Sequence, residues 1–450
     1  MTATLERQPE VALAIEQRGV QRVPDDQRHG RPFGQFTLWF GANLTIADFA
    51  LGFLPVTLGV PWLWTVVAVL IGNLLGALAV GACAPMGPSY GLPQMVLVQG
   101  AFGRLGGRLP AGLNYVSTLG WYTVNTILGA FGLRLLFPSL SFWQGALLLV
   151  LGQGVLAVYG HNLVHRFERV MSMALGVLFL IVTVDLLSSP HRLAAYHPAG
   201  HSVWASFAIV VAATFSYVGS WSPYAADYSR YLPADTRRSA VTWAAFVGSF
   251  VGSVWLELLG AAVAVVAGKA VTDPTAAAHV ALGRLGGVAV VAIILGAVAA
   301  NAVNLYSNSL AAGAVGLRAP RWALAVAASV VGLVLSLVSF GSFAHNYEEF
   351  LLFLGYWITP WLGVQLVDFY LLRGDRRGLD AAGDVRRVAV AAFVLGVLAE
   401  IPFMSSTVYT GPITRALGGA DLSFYVGFLV AAAGYLLARR TAGAGRAGAG

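Results

Sequence analysis

The chain has 450 residues, of which 58% are hydrophobic and only 10% charged, with a mean hydropathy of +0.73 and a formal net charge of +7. A soluble domain with that balance lacks the polar groups to cover its surface, whereas a polytopic helical membrane protein leaves its outer face to lipid. The single cysteine, Cys83, excludes a disulfide framework and a cysteine-based metal site, and the basic surplus is spread over short loops, which reads as membrane topology and not nucleic-acid binding.

The first 32 residues are polar, carry both signs of charge and hold no apolar run of signal-peptide length, as expected of an uncleaved cytoplasmic tail. Twelve apolar segments of spanning length follow, with cores near 34–59, 61–84, 110–133, 142–160, 167–188, 205–224, 240–267, 287–313, 322–340, 347–371, 387–404 and 421–438. Barrel strands would be half as long and would alternate in polarity. The expected fold class is therefore an all-α polytopic membrane protein of about 12 transmembrane helices. Residues 439–450 form a second, Gly/Ala-rich cytoplasmic tail.

Basic residues set the expected orientation. With the N-terminus inside, 22 of the 27 Lys and Arg residues fall on the inner side, in clusters such as Arg104/Arg108, Arg230/Arg237/Arg238 and Arg386/Arg387. Only Arg134, Arg192, Lys269, Arg284 and Arg415 fall outside. Losing one span would scramble this alternation, so it supports the segment count and puts both termini in the cytoplasm.

An internal echo follows. Gly103-Arg-Leu-Gly-Gly107 precedes the third segment and Gly283-Arg-Leu-Gly-Gly287 the eighth, an offset of 180 residues. Five residues drawn from Gly, Arg and Leu carry little weight alone, but the copies fall on opposite sides of the membrane, as a five-plus-five inverted repeat requires. A ten-helix core at 33–375 then divides into repeat one (33–190) and repeat two (203–375), with two additional helices at 385–438. The first and sixth segments correspond, and both are interrupted mid-span, by Gly41-Ala-Asn-Leu-Thr45 and by Ser216-Tyr-Val-Gly-Ser-Trp-Ser-Pro223. Paired breaks free backbone groups to bind solute, ion or water; the bland alternative is two kinks with no ligand.

Two polar stripes lie on corresponding helices. In the eighth segment Asn301, Asn304 and Asn308 fall within about 60° of one helix face. In the third, Asn114, Ser117, Thr118, Trp121 and Asn125 share an arc of about 100°. Carboxamides match the edge of a heterocycle that shows neighbouring donors and acceptors, and an indole offers a flat face for stacking. No Lys or Arg lies in the central third of any span, so the expected solute is planar, polar and uncharged. Interhelical glue is the competing explanation, and it is the preferred one for an isolated amide such as Asn73.

Acidic residues inside spans are few. Asp48 follows the first break and Glu257 lies midway along the seventh segment, and either could carry a coupling proton or ion. Glu400 reads as peripheral, and Asp227 as a loop anchor or inner gate. His161 and His165, at i and i+4, have no third ligand nearby and read as solvated loop residues, so no metal site is expected. No Walker loop, nucleophile elbow or HExxH occurs, which argues against ATP-driven pumping and against an enzyme.

Over residues 31–375 the chain resembles the nucleobase:cation symporter family, in its purine–cytosine permease branch. The pieces that carry the resemblance are Ile71-Gly-Asn-Leu-Leu75, Gly91-Leu-Pro93 before Phe102-Gly103, Gly120-Trp-Tyr122, Tyr224-Ala-Ala-Asp-Tyr-Ser-Arg-Tyr231, NAVNLYS at 301–307, Thr359-Pro360 and Asp368-Phe-Tyr370. The resemblance implies a LeuT-like fold of two inverted five-helix repeats plus two helices, and uptake of cytosine or purines by alternating access. It also implies that Trp121 stacks on the solute, that Asn125, Asn301 and Asn304 are polar contacts, and that Tyr217, Val218, Gly219 and Ser220 form the unwound contact region of the sixth helix. Asn43 in the first break and Thr118 on the third-helix stripe complete the candidate site. Sodium-coupled relatives carry hydroxyl residues just before the position of Asn301, where this chain has Ala299 and Ala300; this favours a proton as coupling ion, with no other cofactor. The expected partners are a small-molecule nucleobase and the cell-membrane bilayer, not nucleic acid. The alternative is a symporter of the same fold for hydantoin, allantoin, uracil, a vitamin or an amino acid.

Overall fold

A computed structural model describes residues 19–159, 161–187, 196, 198, 203–268, 273–372, 384–406 and 408–447, with the side chains of 155–169, 172, 321 and 442–447 left out. The expectations for His161 and His165, for most of the N-terminal tail and for the last residues of the chain therefore lie outside what is described.

Among the described residues the chain is helical, with one isolated bridge between Ser405 and Thr410 as its only extended pairing. Every one of the twelve apolar segments coincides with helix. The first is broken into α1 (Phe33–Asn43), α2 (Ile46–Leu51) and α3 (Phe53–Thr57). Then come α4 (Trp62–Cys83), the short α5 (Met86–Tyr90) and α6 (Gln94–Phe102), α7 (Arg108–Leu136), α8 (Phe142–Tyr159) and α9 (His161–Leu187). The sixth segment is α10 (Val203–Gly219) followed by α11 (Ala225–Ser229). The rest are α12 (Arg238–Ala267), α13 (Pro274–Ala281), α14 (Gly286–Val315), α15 (Arg321–Ser339), α16 (Phe343–Leu366), α17 (Arg387–Glu400), α18 (Pro412–Ala416) and α19 (Ser423–Ala447). Among the described residues five helical stretches meet the length and apolarity needed to cross a membrane, and a sixth does if α1 and α2–α3, bent by 55°, are one span.

Local chemistry sets the two breaks where the sequence placed them. Thr45 adopts an extended backbone, and its hydroxyl accepts the Asp48 N–H, so it caps α2 and stops α1 from running on. In the sixth segment α10 ends at Gly219, and Pro223 sits in a single 3₁₀ turn (Ser222–Tyr224) before the chain turns helical again. The echo around residues 103 and 283 also acquires a shape, because each copy joins a short helix begun at a proline (α6 after Pro93, α13 at Pro274) to a long helix of about 30 residues.

The helices form two main groups. In one, α1–α3, α4, α10 and α12 pack together; in the other, α7, α8, α14 and α15 do. The seam of the first group is lined with glycine. A Cβ on Gly248, Gly252 or Gly260 of α12 would stand 2.6, 3.0 and 1.9 Å from the carbonyl oxygens of Phe36, Phe40 and Phe49. The backbone of the broken first span thus lies directly on α12, the close approach that small residues allow between membrane helices. The last two long helices grip α16 through buried polar bonds: Thr359 Oγ1 to Glu400 Oε1 (2.8 Å), Tyr356 Oη to Asp421 Oδ2 (3.1 Å) and, just past α16, Tyr435 Oη to Asp368 Oδ1 (2.7 Å). Large apolar side chains, including Leu63, Leu148, Val330, Val338 and Leu429, are more than half exposed on the outer surface, as a lipid-facing belt requires.

Candidate functional site

The two breaks meet the middle of α7 and α14. Thr45 Oγ1 lies 2.9 Å from Tyr217 Oη, and Trp221 Nε1 donates to Asn43 Oδ1 at 2.9 Å, so the first and sixth segments are tied together at their irregular stretches. Trp121 projects from α7 into this region, 4% exposed. Three rings hold it edge-to-face: Tyr217 of α10 at 5.1 Å, and Phe350 and Tyr347 of α16 at 5.1 and 6.3 Å.

The asparagines divide by what their neighbours ask of them. Asn301 donates to the Tyr122 carbonyl (3.0 Å), Thr126 Oγ1 (3.2 Å) and Gln153 Oε1 (3.2 Å), and its oxygen accepts from Asn304 Nδ2 (3.3 Å). Its amide is therefore fully engaged in joining α14 to α7 and α8. Thr118 and Asn308 are joined to each other at 2.6 Å, and Asn43 is held by Trp39, Trp221 and Ser253. Asn125 and Asn304 differ. Each uses its Nδ2, on Trp121 O and Asn301 Oδ1, while its Oδ1 is buried with no protein partner, as are the Asn308 Oδ1 and both side-chain polar atoms of Asn114 further along the stripes. The unwound stretch begins later than expected: Tyr217, Val218 and Gly219 are still helical, with Val218 packed in the core and Gly219 ending α10 against Gly76, and only Ser220, whose Oγ donates to the Tyr217 carbonyl, lies beyond the helix. The site candidates thus gather in one region, but Asn43, Thr118 and Asn301 spend their polar atoms on neighbouring helices.

A family model described as permease for cytosine/purines, uracil, thiamine, allantoin matches residues 22–427. The chain belongs to this permease family. It is 30% identical to the putative purine-cytosine permease YxlA of Bacillus subtilis, over 93% of this chain and 94% of that one. It is 28% identical to the purine-cytosine permease fcyB of Emericella nidulans, over 95% and 89%. Its fold matches that of Mhp1, a nucleobase-cation-symport-1 family transporter solved in a closed conformation with bromovinylhydantoin bound. The TM-score is 0.76 at 18% identity, with 95% of each chain covered. This permease is a multi-pass membrane transporter with a LeuT-like fold, not an enzyme.

The permease buries a second polar cluster beside the first. Asp48 on α2 and Glu257 on α12 are both fully buried. Asp48 Oδ2 accepts from Ser253 Oγ at 2.7 Å, and Glu257 Oε2 accepts from Asn73 Nδ2 at 2.6 Å. Asn73 does join two helices, as an isolated amide should, but its partner is a carboxyl group. Asp227 accepts the Gln94 N–H at 2.9 Å and anchors the start of α6.

Arg230 corrects an expectation. The sequence places it among the loop charges that report topology, yet it is completely buried and donates to the Gly19 carbonyl, Tyr231 Oη and Tyr306 Oη. It holds the N-terminal segment against α14. That segment also gives Val23 N–H to Gly91 O and His29 N–H to Tyr231 O, and it borders a cavity of about 610 Å³ shared with Arg108, Ser309, Gly313 and Arg318.

Trp221, Tyr347 and Phe350 are the residues that sequence reasoning left out of the site. Trp221 lies inside the interrupted stretch of the sixth segment and could have been read as a second indole there. Nothing in the spacing of residues 343–366 distinguishes Tyr347 and Phe350 from ordinary apolar packing.

Proposed function

We propose that this permease imports a planar, uncharged nucleobase such as cytosine or a purine by alternating access, driven by a proton. Both termini then face the cytoplasm of the cell membrane, the core of two inverted five-helix repeats carries the solute, and α17 and α19 lie outside it. The observation that carries this reading is the pair of buried, partnerless carboxamide oxygens of Asn125 and Asn304, beside the caged indole of Trp121. Acceptor oxygens in a dry site call for donors, and the amino and ring N–H groups of a base supply them while its π face lies on the indole. The nucleobase names of its relatives agree with this chemistry.

A proton is favoured over sodium because Ala299 and Ala300 offer no side-chain oxygen, and α14 meets the first break through Gly296, whose Cβ would stand 2.6 Å from the Leu44 carbonyl. The second reading is a symporter of the same fold for another small solute. The breadth of the family description, which takes in uracil, thiamine and allantoin, favours keeping it.

The test is competition for uptake of radiolabelled cytosine by adenine, hypoxanthine, uracil, allantoin and thiamine, in cells lacking their own base carriers. Trp121→Ala is expected to abolish saturable uptake while the protein still reaches the membrane. Uptake is also expected to be indifferent to replacing sodium with choline. Normal uptake by the Trp121 variant removes the site assignment, and a sodium requirement removes the coupling assignment.

A further inference from the structure

The site described above does not use Asp48 and Glu257, although placing an acid inside a membrane span costs roughly 2.5–3.5 kcal/mol on insertion scales. Asp48 Oδ2 is satisfied by Ser253 and Glu257 Oε2 by Asn73, which leaves Asp48 Oδ1 and Glu257 Oε1 buried without any other partner. Asp48 bonds to Ser253, one turn before Glu257 on the same helix, so the two buried carboxyl groups are neighbours across the α2–α12 contact. Two carboxylates have only acceptors to offer, so a bond between them exists only if one carries a proton.

The surroundings give them no other source of balance. The titratable groups that face Asp48 are Glu257 itself and the phenols of Tyr217 on α10 and Tyr347 on α16. From α4 comes the neutral amide of Asn73. Among the described residues no Lys, Arg or His pairs with either acid. Like charges this close in a cation-free interior cannot both ionise without driving their helices apart. The packing makes that separation consequential. Gly52, one turn after Asp48, and Gly260, one turn after Glu257, lock α2 and α12 backbone to backbone; a Cβ on Gly52 would stand 2.1 Å from the Glu257 carbonyl.

We propose that Asp48 and Glu257 form one proton-binding site, in which a single proton bridges Asp48 Oδ1 and Glu257 Oε1 and holds α2 against α12. The assignment rests on the reading of this chain as a proton-driven symporter. Loading forms one O–H bond on a carboxylate oxygen, with the proton drawn from water on the outer side. Unloading breaks that bond and passes the proton to water on the inner side, leaving two carboxylates that repel. Two routes carry the change to the solute region. One runs from Asp48 through Ser253 and Asn43 to the Trp221 indole. The other runs from the Asp48 N–H through Thr45 to Tyr217, whose ring abuts Trp121. The proton is therefore sensed at both breaks.

Stoichiometry separates a shared proton from two independent acids. In proteoliposomes with the membrane potential clamped at zero, one proton per solute gives an equilibrium accumulation of about tenfold per unit of pH gradient, and two protons give about a hundredfold. The expected result for radiolabelled cytosine is the tenfold slope. Glu257→Gln and Asp48→Asn are expected to lose accumulation entirely, so that uptake stops at equal concentrations, while exchange of cytosine for preloaded cytosine persists. A hundredfold slope, accumulation retained in either variant, or accumulation driven by a sodium gradient in the wild type and lost in both variants overturns the proposal.

A second measurement does not depend on the solute. Infrared spectra of the purified full-length protein at neutral pH are expected to show the carbonyl band of a buried protonated carboxylic acid that is diminished in the Asp48→Asn/Glu257→Gln double variant, with unchanged melting temperature and a single gel-filtration peak. A band unchanged in the double variant overturns the site. If the wild type moves no nucleobase while the double variant diminishes the band, the transport reading fails and the proton pair stands.

Discussion

Asn301 and Asn304 sit one turn apart on α14, and their neighbours give them different tasks. Asn301 bonds to groups on α7 and α8, so Asn301→Ala leaves Gln153 Oε1 short of a donor in a dry interior, while the Tyr122 carbonyl keeps the Thr126 hydroxyl. The expected cost is about 1–3 kcal/mol, visible as a lower melting temperature in detergent. Asn304→Ala and Asn125→Ala remove oxygens that no protein group uses. Asn125→Ala is expected to leave the melting temperature near wild type and Asn304→Ala to lower it less than Asn301→Ala, since it takes one long bond from Asn301 Oδ1; both are expected to raise the apparent KM for cytosine about tenfold, the worth of one good hydrogen bond. Equal melting losses at Asn301 and Asn304 would make both structural. The 3.6-residue period places all three amides of the eighth segment on one face, and that face does meet α7. It carries no information about which oxygen is left over, because Asn301's partners lie about 150 to 180 residues away on helices whose rotation only the folded packing sets.

At the scale of the element, both helix breaks could be read in advance, because Gly, Pro and clustered hydroxyls weaken a helix through local chemistry alone. The glycine seam of α12 was equally local yet went unnoticed. Gly248, Gly252 and Gly260 fall at spacings of four and eight, the pattern of small residues that lets membrane helices touch, but glycine is too common in this chain to stand out. The geometry makes it testable. Gly260→Ala puts a methyl group where the Phe49 carbonyl oxygen stands and is expected to push α2 off α12, with loss of both melting temperature and proton-driven accumulation. Gly287→Ala, which has nothing within 4 Å of the added methyl, is the control and is expected to be neutral. A tolerated Gly260→Ala would show that the two helices do not need their backbone contact.

For the molecule as a whole, the buried Arg230 and the strap it holds close one end of the structure. Val20 lies against Gly313 of α14, with its Cβ 3.9 Å from where a Gly313 Cβ would be, within the range for a disulfide. The Val20→Cys/Gly313→Cys double variant is expected to cross-link under mild oxidation, stop uptake and recover on reduction. The lone native thiol, Cys83, is buried and does not compete. Uptake that continues in the cross-linked protein would mean that this end need not open. Charge counting could not reveal the closure, because it treats every arginine near a span end as solvated, and Arg230 is not.

The polar bonds between α16 and the last two long helices carry a mechanical consequence. They attach at Tyr356 and Thr359, and at Asp368 just beyond, while the rings that cage Trp121, those of Tyr347 and Phe350, come earlier on the same helix. Pro360 follows directly within the braced half and supplies no N–H to the turn before it. The α16 helix is thus fastened twice: its far half is bolted to an outer brace, and its near half is tied through Tyr347 Oη to the Ala47 carbonyl beside the first break, so brace and broken span meet across the helix that cages the indole.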